Sequence, residues 1–355
     1  MHTIFFTGFP GFIGKQLALT LLKKYPDVKL IFLVHPSQLD KAKADFKELG
    51  FSTPHEIISG DITQSNLGMS HDSAQKVKNE TTIVFHLAAI YDLTVPETLA
   101  QKVNVWGTQN MLNFFSQAPN LKRFNHISTC YVSGDQKGLI TPDKLEERPK
   151  ENLMFHNFYE STKHASEVLV KNKMSEIPIT IFRPAIVVGN SKTGLTDKFD
   201  GPYVVMKFLH QIRFLLRLVP NLGFKECEVN TVPVDYAVDV MATLAFQEKS
   251  KGQTYQICDQ HPPSTEEFFG FIVQTIGGIT PFQCTFLKKI ILKLLRLPGV
   301  SKITGITCQH LDYFMHEGQY RSPNLTQDLE GSGITLPHYK DTYPTLYNYM
   351  KNHLH

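Results

Sequence analysis

Short, nearly unbroken apolar runs alternate with amphipathic stretches through the first half of this chain. Thr3–Thr7 is a run of β-formers, and Lys15–Lys24 then places Leu17, Leu21 and Leu22 at the spacing of a helix core face. Lys29–Val34 reads as a second strand, Gln38–Leu49 as a helix and Glu56–Gly60 as a third strand. Thr82–Ala89 is a fourth strand ending in small residues, Thr98–Gln117 a long helix and Arg123–Ser128 a fifth strand. Phe155–Lys173 is helical in pattern, and Pro178–Phe182 a sixth strand. Strands this apolar are buried on both faces, and their alternation with helices predicts a parallel sheet covered on both sides. The fold class is α/β, a doubly wound parallel sheet that binds its ligand at the carboxyl ends of the strands.

Beyond Pro184 the rhythm changes. A Gly/Ser/Asp-rich loop, Gly189–Pro202, leads into a helix expected over Tyr203–Leu218, and Val229–Val234 and Gly252–Ile257 read as strands returning to the sheet. Helices and short connections follow from Ser264. The expected division is a dinucleotide-binding domain over 1–184, rejoined by segments near 229–257. A smaller, mainly substrate-binding portion covers 185–355.

Composition narrows the class. In 355 residues, 42% are hydrophobic and 19% charged, with a formal net charge of +3. That is a globular composition, with no global charge to attract nucleic acid. Cys130, Cys227, Cys258, Cys284 and Cys308 are scattered without a C-x-x-C pair, so neither a disulfide framework nor a metal site is expected. The chain opens on a core strand, so no signal peptide is expected, and with no apolar run of about twenty residues no transmembrane helix is expected. The expected location is cytoplasmic.

The first chemical signal is Thr7-Gly-Phe-Pro-Gly-Phe-Ile-Gly14, between the first strand and first helix. Gly8 permits a sharp turn, Gly11 lets backbone approach a diphosphate, and Gly14 allows close packing of helix on strand. The helix N-terminus supplies unpaired N–H groups and a positive dipole end for an anion. A second signal is Tyr159-Glu-Ser-Thr-Lys163, where residues four apart share one helix face. The ammonium is expected to lower the phenol's pKa toward the range of a general acid/base. Ser128 and Thr129 close the fifth strand, where a hydroxyl can hold a substrate carbonyl beside that phenol.

The G-x-x-G-x-x-G spacing, led by Thr and containing Phe12-Ile13, resembles the extended short-chain dehydrogenase/reductases, a Rossmann-fold family. The resemblance selects Thr129, through the register of Val132–Gly134, with Ser128 as the fallback. Asn104-Val-Trp-Gly-Thr108 is similar to the family's N-V-x-G-T segment, which implies a role for Asn104 in ordering a water or the active-site helix. Asp61-Ile62 resembles the segment that contacts adenine. His86-Leu-Ala-Ala89 resembles the one beneath the ribose and diphosphate, with Ala88 and Ala89 small enough for close approach and His86 read as a packed strand residue. Arg183-Pro-Ala-Ile186 resembles the segment passing the nicotinamide, which implies contacts from Pro184, Ala185 and Ile186. The cofactor-binding set is completed by Gly8, Gly11, Phe12, Ile13, Gly14, His35, Tyr159 and Lys163.

The stretch Ser191–Tyr203, Val232-Pro-Val-Asp-Tyr236 and the segment Leu329–Tyr343 resemble the branch containing fatty acyl-CoA reductases, thioester reductase domains and plant male-sterility proteins. NADPH users of that branch read Leu-Val-Arg where this chain has Leu33-Val34-His35. No Asp or Glu stands there for a ribose 2′-hydroxyl, and His35, Ser37 and Lys41 can share a 2′-phosphate, so NADP is favoured over NAD.

The expected activity is NADP-dependent reduction of an acyl thioester, fatty acyl-CoA-like, or a related lipid-like carbonyl. Open alternatives are a ketone/alcohol oxidoreductase on a lipid or sterol-like substrate, a sugar-nucleotide epimerase or dehydratase, and an NADPH-sensing scaffold. Two basic amphipathic stretches, Tyr203–Leu218 and Leu287–Leu297, are expected to wall an acyl channel or to meet CoA phosphates or an anionic membrane. Peripheral membrane contact through 287–297 and a homodimer are the partner expectations, with no nucleic acid.

Overall fold

A computed structural model describes residues 2–51, 54–91, 95–143, 153–284, 288–297 and 299–354. The central sheet is built from β1 (Thr3–Thr7), β2 (Lys29–Val34), β3 (Glu56–Ser59), β4 (Ile83–His86) and β5 (Arg123–Ile127). A short β6 (Gly138–Ile140) lies outside it, and β7 (Ile179–Pro184) joins it. The next two strands, β8 (Ile186–Val188) and β9 (Thr231–Pro233), form a separate parallel pair. Finally β10 (Thr254–Ile257) takes the sheet edge, and β11 (Gly318–Tyr320) pairs with β6.

The seven-stranded order is β10-β7-β5-β4-β1-β2-β3, with every pairing parallel. The order in which successive strands are added reverses at the β1–β4 boundary, so a crevice opens there beyond the strand ends. All five residues of β1 are buried, because it lies inside the sheet and is covered on both faces.

One face is covered by α1 (Phe12–Lys24) and α2 (Leu39–Glu48), and the other by α3 (His71–Glu80). A short α4 (Glu97–Ala100), a π-helical turn Gln101–Trp106 and α5 (Gly107–Phe115) replace the expected uniform helix over 98–117. The helix α6 (Phe158–Asn172) packs beside α5. Then come α7 (Pro202–Gln211), α8 (Val234–Leu244), α9 (Thr265–Gly277), α10 (Lys288–Leu295), α11 (Val300–Thr304), α12 (Cys308–Phe314), α13 (Pro323–Leu329) and α14 (Tyr339–His353). A second apolar core joins Tyr203, Met206, Leu209, Phe268, Ile272, Leu346 and Met350 from α7, α9 and α14.

Two local expectations change. The segment Val229–Val234 does not rejoin the main sheet; its Thr231–Pro233 pairs with Ile186–Val188, while Gly252–Ile257 supplies the edge strand β10. The helix expected to reach Leu218 breaks after Gln211 into a 3-10 turn, Arg213–Leu218. Two helices carry no sequence expectation: α3 is mostly polar with Ala74 and Val77 buried, and α8 is largely apolar, with Asp235, Asp239 and Thr243 as a narrow polar stripe. Leu287, expected to open the basic helix, lies outside the described residues. Among the described residues no helix is long and apolar enough to cross a membrane.

Candidate active site

The sheet's carboxyl edge opens into a cleft of about 1470 Å³, whose floor at one end is the turn between β1 and α1. Gly8 has φ +91°, and a Cβ built on it would lie 2.8 Å from Leu87 Cβ, so both conformation and space require glycine. The Gly8 carbonyl accepts from the Gly11 N–H at 2.9 Å, and a Cβ on Gly14 would sit 2.7 Å from that carbonyl. Gly14 therefore closes the turn on itself, rather than only seating the helix on the strand. Gly11 is the N-cap of α1, no side chain caps it, and Phe12 and Ile13 line the cleft. This open helix N-terminus in a cradle that any Cβ would fill suits the diphosphate of a dinucleotide.

At the outer end stand His35, Ser37, Lys41, Asp61 and Ile62, with Ala88 and Ala89 along the wall. His35 Nδ1 lies 2.8 Å from Ser37 Oγ, and its Nε2 lies 4.0 Å from Asp61 Oδ2. Burial raises the Asp61 pKa, but the Thr63 N–H and hydroxyl donate to its oxygens at 2.8 and 2.9 Å, and the net shift is downward.

The other end is built by α6 and the end of β5. Asn157 caps α6, its side-chain oxygen accepting from Glu160 N–H at 2.9 Å, and the first two turns of the helix present Tyr159 and Lys163 to the cleft. Thr129 lines the cleft near Tyr159, its hydroxyl donating to the Pro184 carbonyl at 3.5 Å and accepting from the Tyr131 N–H at 3.3 Å, and the Tyr91 ring meets Tyr159 edge-on at 5.1 Å. Lys163 Nζ donates to the Ile127 carbonyl at 2.6 Å. Burial lowers its pKa to about 8, against the opposing pull of Glu167.

The expected electrostatics of Tyr159 need correction. Its pKa is raised, first by burial and then by Tyr91 and Glu160, while only the nearby Thr129 hydroxyl lowers it. The Lys163 ammonium turns toward the Ile127 carbonyl, and the phenol remains a protonated acid at neutral pH.

Ser128 also borders the cleft, but its hydroxyl donates to Glu167 Oε2 at 2.6 Å. Glu167 in turn accepts from Arg183 Nε at 3.0 and 3.1 Å and from its Nη2. The Ser128 hydroxyl is thus engaged by Glu167, which leaves Thr129 as the neighbouring hydroxyl on the cleft wall.

Asn104 does not line the cleft. It is buried in the π-helical turn, accepts from Ile90 N–H at 2.8 Å and donates to Thr162 Oγ1 at 3.0 Å, tying the wall loop to α6. His86 is a packed strand residue between Thr7 and Thr108, at 2.9 and 3.0 Å, and burial lowers its pKa to about 3. Pro184, Ala185 and Ile186 line the cleft where β7 passes into β8.

The remaining lining has little sequence signal. Tyr131 and Tyr313 meet edge-on at 4.8 Å, and α12 adds Gln309, His310 and Phe314. Tyr131 sits in the motif that supplied Thr129, whereas α12 reaches the site only through the tertiary fold. The loop over Thr196–Pro202 forms another wall, joined to α1 by Lys15 Nζ to Asp197 Oδ2 at 3.1 Å. None of the described side chains of 203–218 or 288–297 lines the cleft, so the expected acyl-channel walls are not formed there.

Several known proteins are similar to this chain. Human fatty acyl-CoA reductase 2 is 28% identical over 283 residues, covering 69% of this chain and 54% of that protein. The non-canonical nonribosomal peptide synthetase cpsA of Aspergillus campestris is 29% identical over 273 residues, covering 72% of this chain and 25% of that protein. The chain thus spans about half of the reductase and a quarter of the synthetase. The terminal R domain of the myxalamid PKS-NRPS biosynthetic pathway superposes with a TM-score of 0.79 at 21% identity, covering 99% of this chain and 91% of that one. UDP-glucuronic acid 4-epimerase from Bacillus cereus, in complex with NAD, gives 0.65 at 18% identity, with 99% of each chain covered. The fold is thus shared with reductase domains and epimerases alike. Residues 6–241 match the family model described as male sterility protein, an NAD-binding family. With the glycine cradle and the Tyr159–Lys163 helix in that span, this chain belongs to the male sterility protein family, within the fatty acyl-CoA reductase branch of the extended short-chain dehydrogenase/reductases, a family of NAD(P)-dependent oxidoreductases.

Proposed function

We propose that this chain is an NADP-dependent reductase of an acyl thioester, of the fatty acyl-CoA type or a related lipid-like carbonyl. The observation that carries the reading is the meeting of Thr129, Tyr159 and Lys163 in the same cleft as the glycine cradle. Its supports for a thioester are the named activity of the human relative and the branch to which the chain belongs.

A bound reduced nicotinamide supplies the hydride. Thr129 orients the carbonyl oxygen, and Tyr159, kept protonated by burial, donates its proton to that oxygen as the carbonyl π pair moves onto it. Collapse of the resulting hemithioacetal releases thiol and aldehyde. Lys163 holds the nicotinamide ribose, Asn104 positions α6 through Thr162, and Ser128 remains the fallback hydroxyl.

In this proposal Gly8, Gly11, Phe12, Ile13 and Gly14 hold the diphosphate. Asp61, Ile62, Ala88 and Ala89 hold the adenosine side, and Pro184, Ala185 and Ile186 pass the nicotinamide. Residues 1–184 bind the dinucleotide and 185–355 mainly the substrate. The proposal extends to a cytoplasmic protein, a homodimer, and a peripheral membrane contact through 287–297.

The deciding experiment follows NADPH oxidation with acyl-CoAs, β-keto acids and UDP-sugars in parallel. Acyl-CoA alone is expected to support turnover; activity confined to either other class would replace the thioester reading.

NADPH is expected to bind more tightly than NADH, and His35→Asp to shift the preference toward NADH. The new carboxylate repels a 2′-phosphate and accepts from a 2′-hydroxyl. Equal or tighter NADH binding by the unaltered protein, measured by titration, contradicts this.

Cofactor affinity is also expected to depend on pH. Lys163 carries its proton below about 8 and loses it as pH rises through that value. Charge-assisted hydrogen bonds weaken when the donor becomes neutral, so NADPH binding should weaken above about pH 8 and the break should vanish in Lys163→Met. A break of unchanged size in that variant assigns the titration elsewhere.

A further inference from the structure

Between Asp200 and Glu226, and again between Glu267 and Asp312, the chain contains no carboxylate, although it carries 33 acidic residues against 36 Lys and Arg. Basic residues in these two segments include Lys207, Arg213, Arg217 and Lys293. Charge that nearly balances over the whole molecule is therefore sharply uneven along it.

The fold brings the two segments together. Asn221 and Gln283 form a parallel bridge, with Asn221 N–H donating to the Phe282 carbonyl at 2.8 Å and Cys284 N–H to the Asn221 carbonyl at 2.9 Å. Lys288 Nζ lies 3.8 Å from the centre of the Phe224 ring. The 3-10 turn Arg213–Leu218 precedes the first strand of this bridge, and α10 follows the second.

Both flanks expose bulky apolar side chains. Phe214 is 85% exposed and Leu218 73%, while Leu215, Ile290, Leu294 and Leu297 are each about half exposed. Single exposed leucines are ordinary, but such a concentration beside one bridge marks an interaction surface. Among the described residues, no carboxylate lies within ion-pair distance of Lys207, Arg213, Arg217 or Lys293. The Arg213 guanidinium instead lies 4.6 Å from the Phe214 ring centre, pairing an apolar ring with a cation.

We propose that Arg213–Leu218 and Lys288–Leu297 together form a docking surface for an anionic lipid bilayer. Projecting rings and leucines enter the acyl boundary, while the unpaired cations meet phosphate headgroups. Charge complementarity selects this occupant. The surface is also tied to the cleft: Arg296 Nη2 donates to Asp312 Oδ1 at 3.0 Å, and Asp312 belongs to α12, whose Tyr313 and Phe314 line the cavity. Arg296 is therefore an anchor rather than a free headgroup ligand. The proposal deepens the peripheral contact through 287–297 and rests on that reading, but not on the identity of the reaction.

The test is sedimentation of the full chain with vesicles of phosphatidylcholine containing phosphatidylglycerol, and of phosphatidylcholine alone. Three variants are compared: Phe214→Ala/Leu218→Ala, Arg213→Gln/Arg217→Gln, and Lys293→Gln/Leu294→Ala. Each should weaken binding to anionic vesicles about tenfold or more, and Arg213→Lys/Arg217→Lys should retain it. Added salt should weaken intact-protein binding. NADPH binding and turnover of a soluble short-chain acyl-CoA should be unchanged in every variant, which separates failure of this surface from failure of the reductase reading.

Absence of binding by the intact protein overturns both the surface and the 287–297 contact. Loss confined to Lys293→Gln/Leu294→Ala leaves that contact standing and overturns the two-segment surface. Undiminished binding in all three variants overturns both. A dimer dispersed by Phe214→Ala/Leu218→Ala, or capture of an acidic carrier protein in place of vesicles, overturns the lipid proposal by naming another occupant.

Discussion

Tyr159→Phe is expected to lower turnover by about two to four orders of magnitude, the range for loss of a general acid, while leaving NADPH affinity intact. The change deletes one oxygen and keeps the ring that meets Tyr91 at 5.1 Å, so the local packing survives. What disappears is the buried proton held beside Thr129. Burial raises the phenol's pKa, which keeps it in the acid form that carbonyl reduction consumes. Single-turnover kinetics under saturating NADPH measure the loss directly. Turnover equal to that of the unaltered protein would remove Tyr159 from the chemistry; weakened NADPH binding alone would make it a cofactor ligand.

The second large effect concerns stability. Glu167→Ala should destabilise the protein by about 3–5 kcal/mol, the cost of leaving a buried charge without its partner. Arg183 is 1% exposed, and its Nε donates to both Glu167 oxygens at 3.0 and 3.1 Å. The same carboxylate takes the Ser128 hydroxyl, so its loss frees a donor at the end of β5 as well. Replacing Glu167 and Arg183 together by apolar residues of similar volume should cost less than either single change. Urea unfolding of the three variants measures this, and equal stability of Glu167→Ala and the unaltered protein would show that the ion pair contributes nothing net.

The pair also predicts an acid limb. Burial raises the Glu167 pKa, but Arg183, Lys171 and Ser128 outweigh it and hold the group at about 2, below its ordinary 4.5. A carboxylate depressed in the folded state stabilises above its unfolded pKa and loses that contribution as pH falls through the folded one. The window therefore runs from about pH 4.5 down to about 2, and is worth about 3 kcal/mol. It should be missing in Glu167→Gln.

Local chemistry made the nucleotide half readable. A strand buried on both faces has no polar position, and a glycine turn at its end has few alternatives, so Thr3–Gly14 declared strand, turn and helix without tertiary help. Tyr159 and Lys163 were legible because four residues on a helix fix a common face. The register of Val132–Gly134 favoured Thr129 over Ser128 from sequence, but the engagement of the Ser128 hydroxyl was not legible there, because Glu167 reaches it from α6 and is held by Arg183 of β7.

Other features depend on contacts between segments far apart in the chain. The polar helix α3 buries only Ala74 and Val77, too few residues to display an apolar face. Val229–Val234 has the composition of a sheet strand, yet its pairing with β8 follows from where the chain returns after α7. The phenol's raised pKa depends on burial and on Tyr91, Glu160 and Thr129, two of which lie on other elements. Sequence by itself determined the parallel α/β fold, the glycine cradle and the helix bearing Tyr159 and Lys163, because each follows from residue type and short-range spacing. Only the tertiary structure decided the engagement of the Ser128 hydroxyl by Glu167, the aromatic wall from α12 and the bridge between Asn221 and Gln283. Those properties arise from the burial and distances that long-range packing imposes.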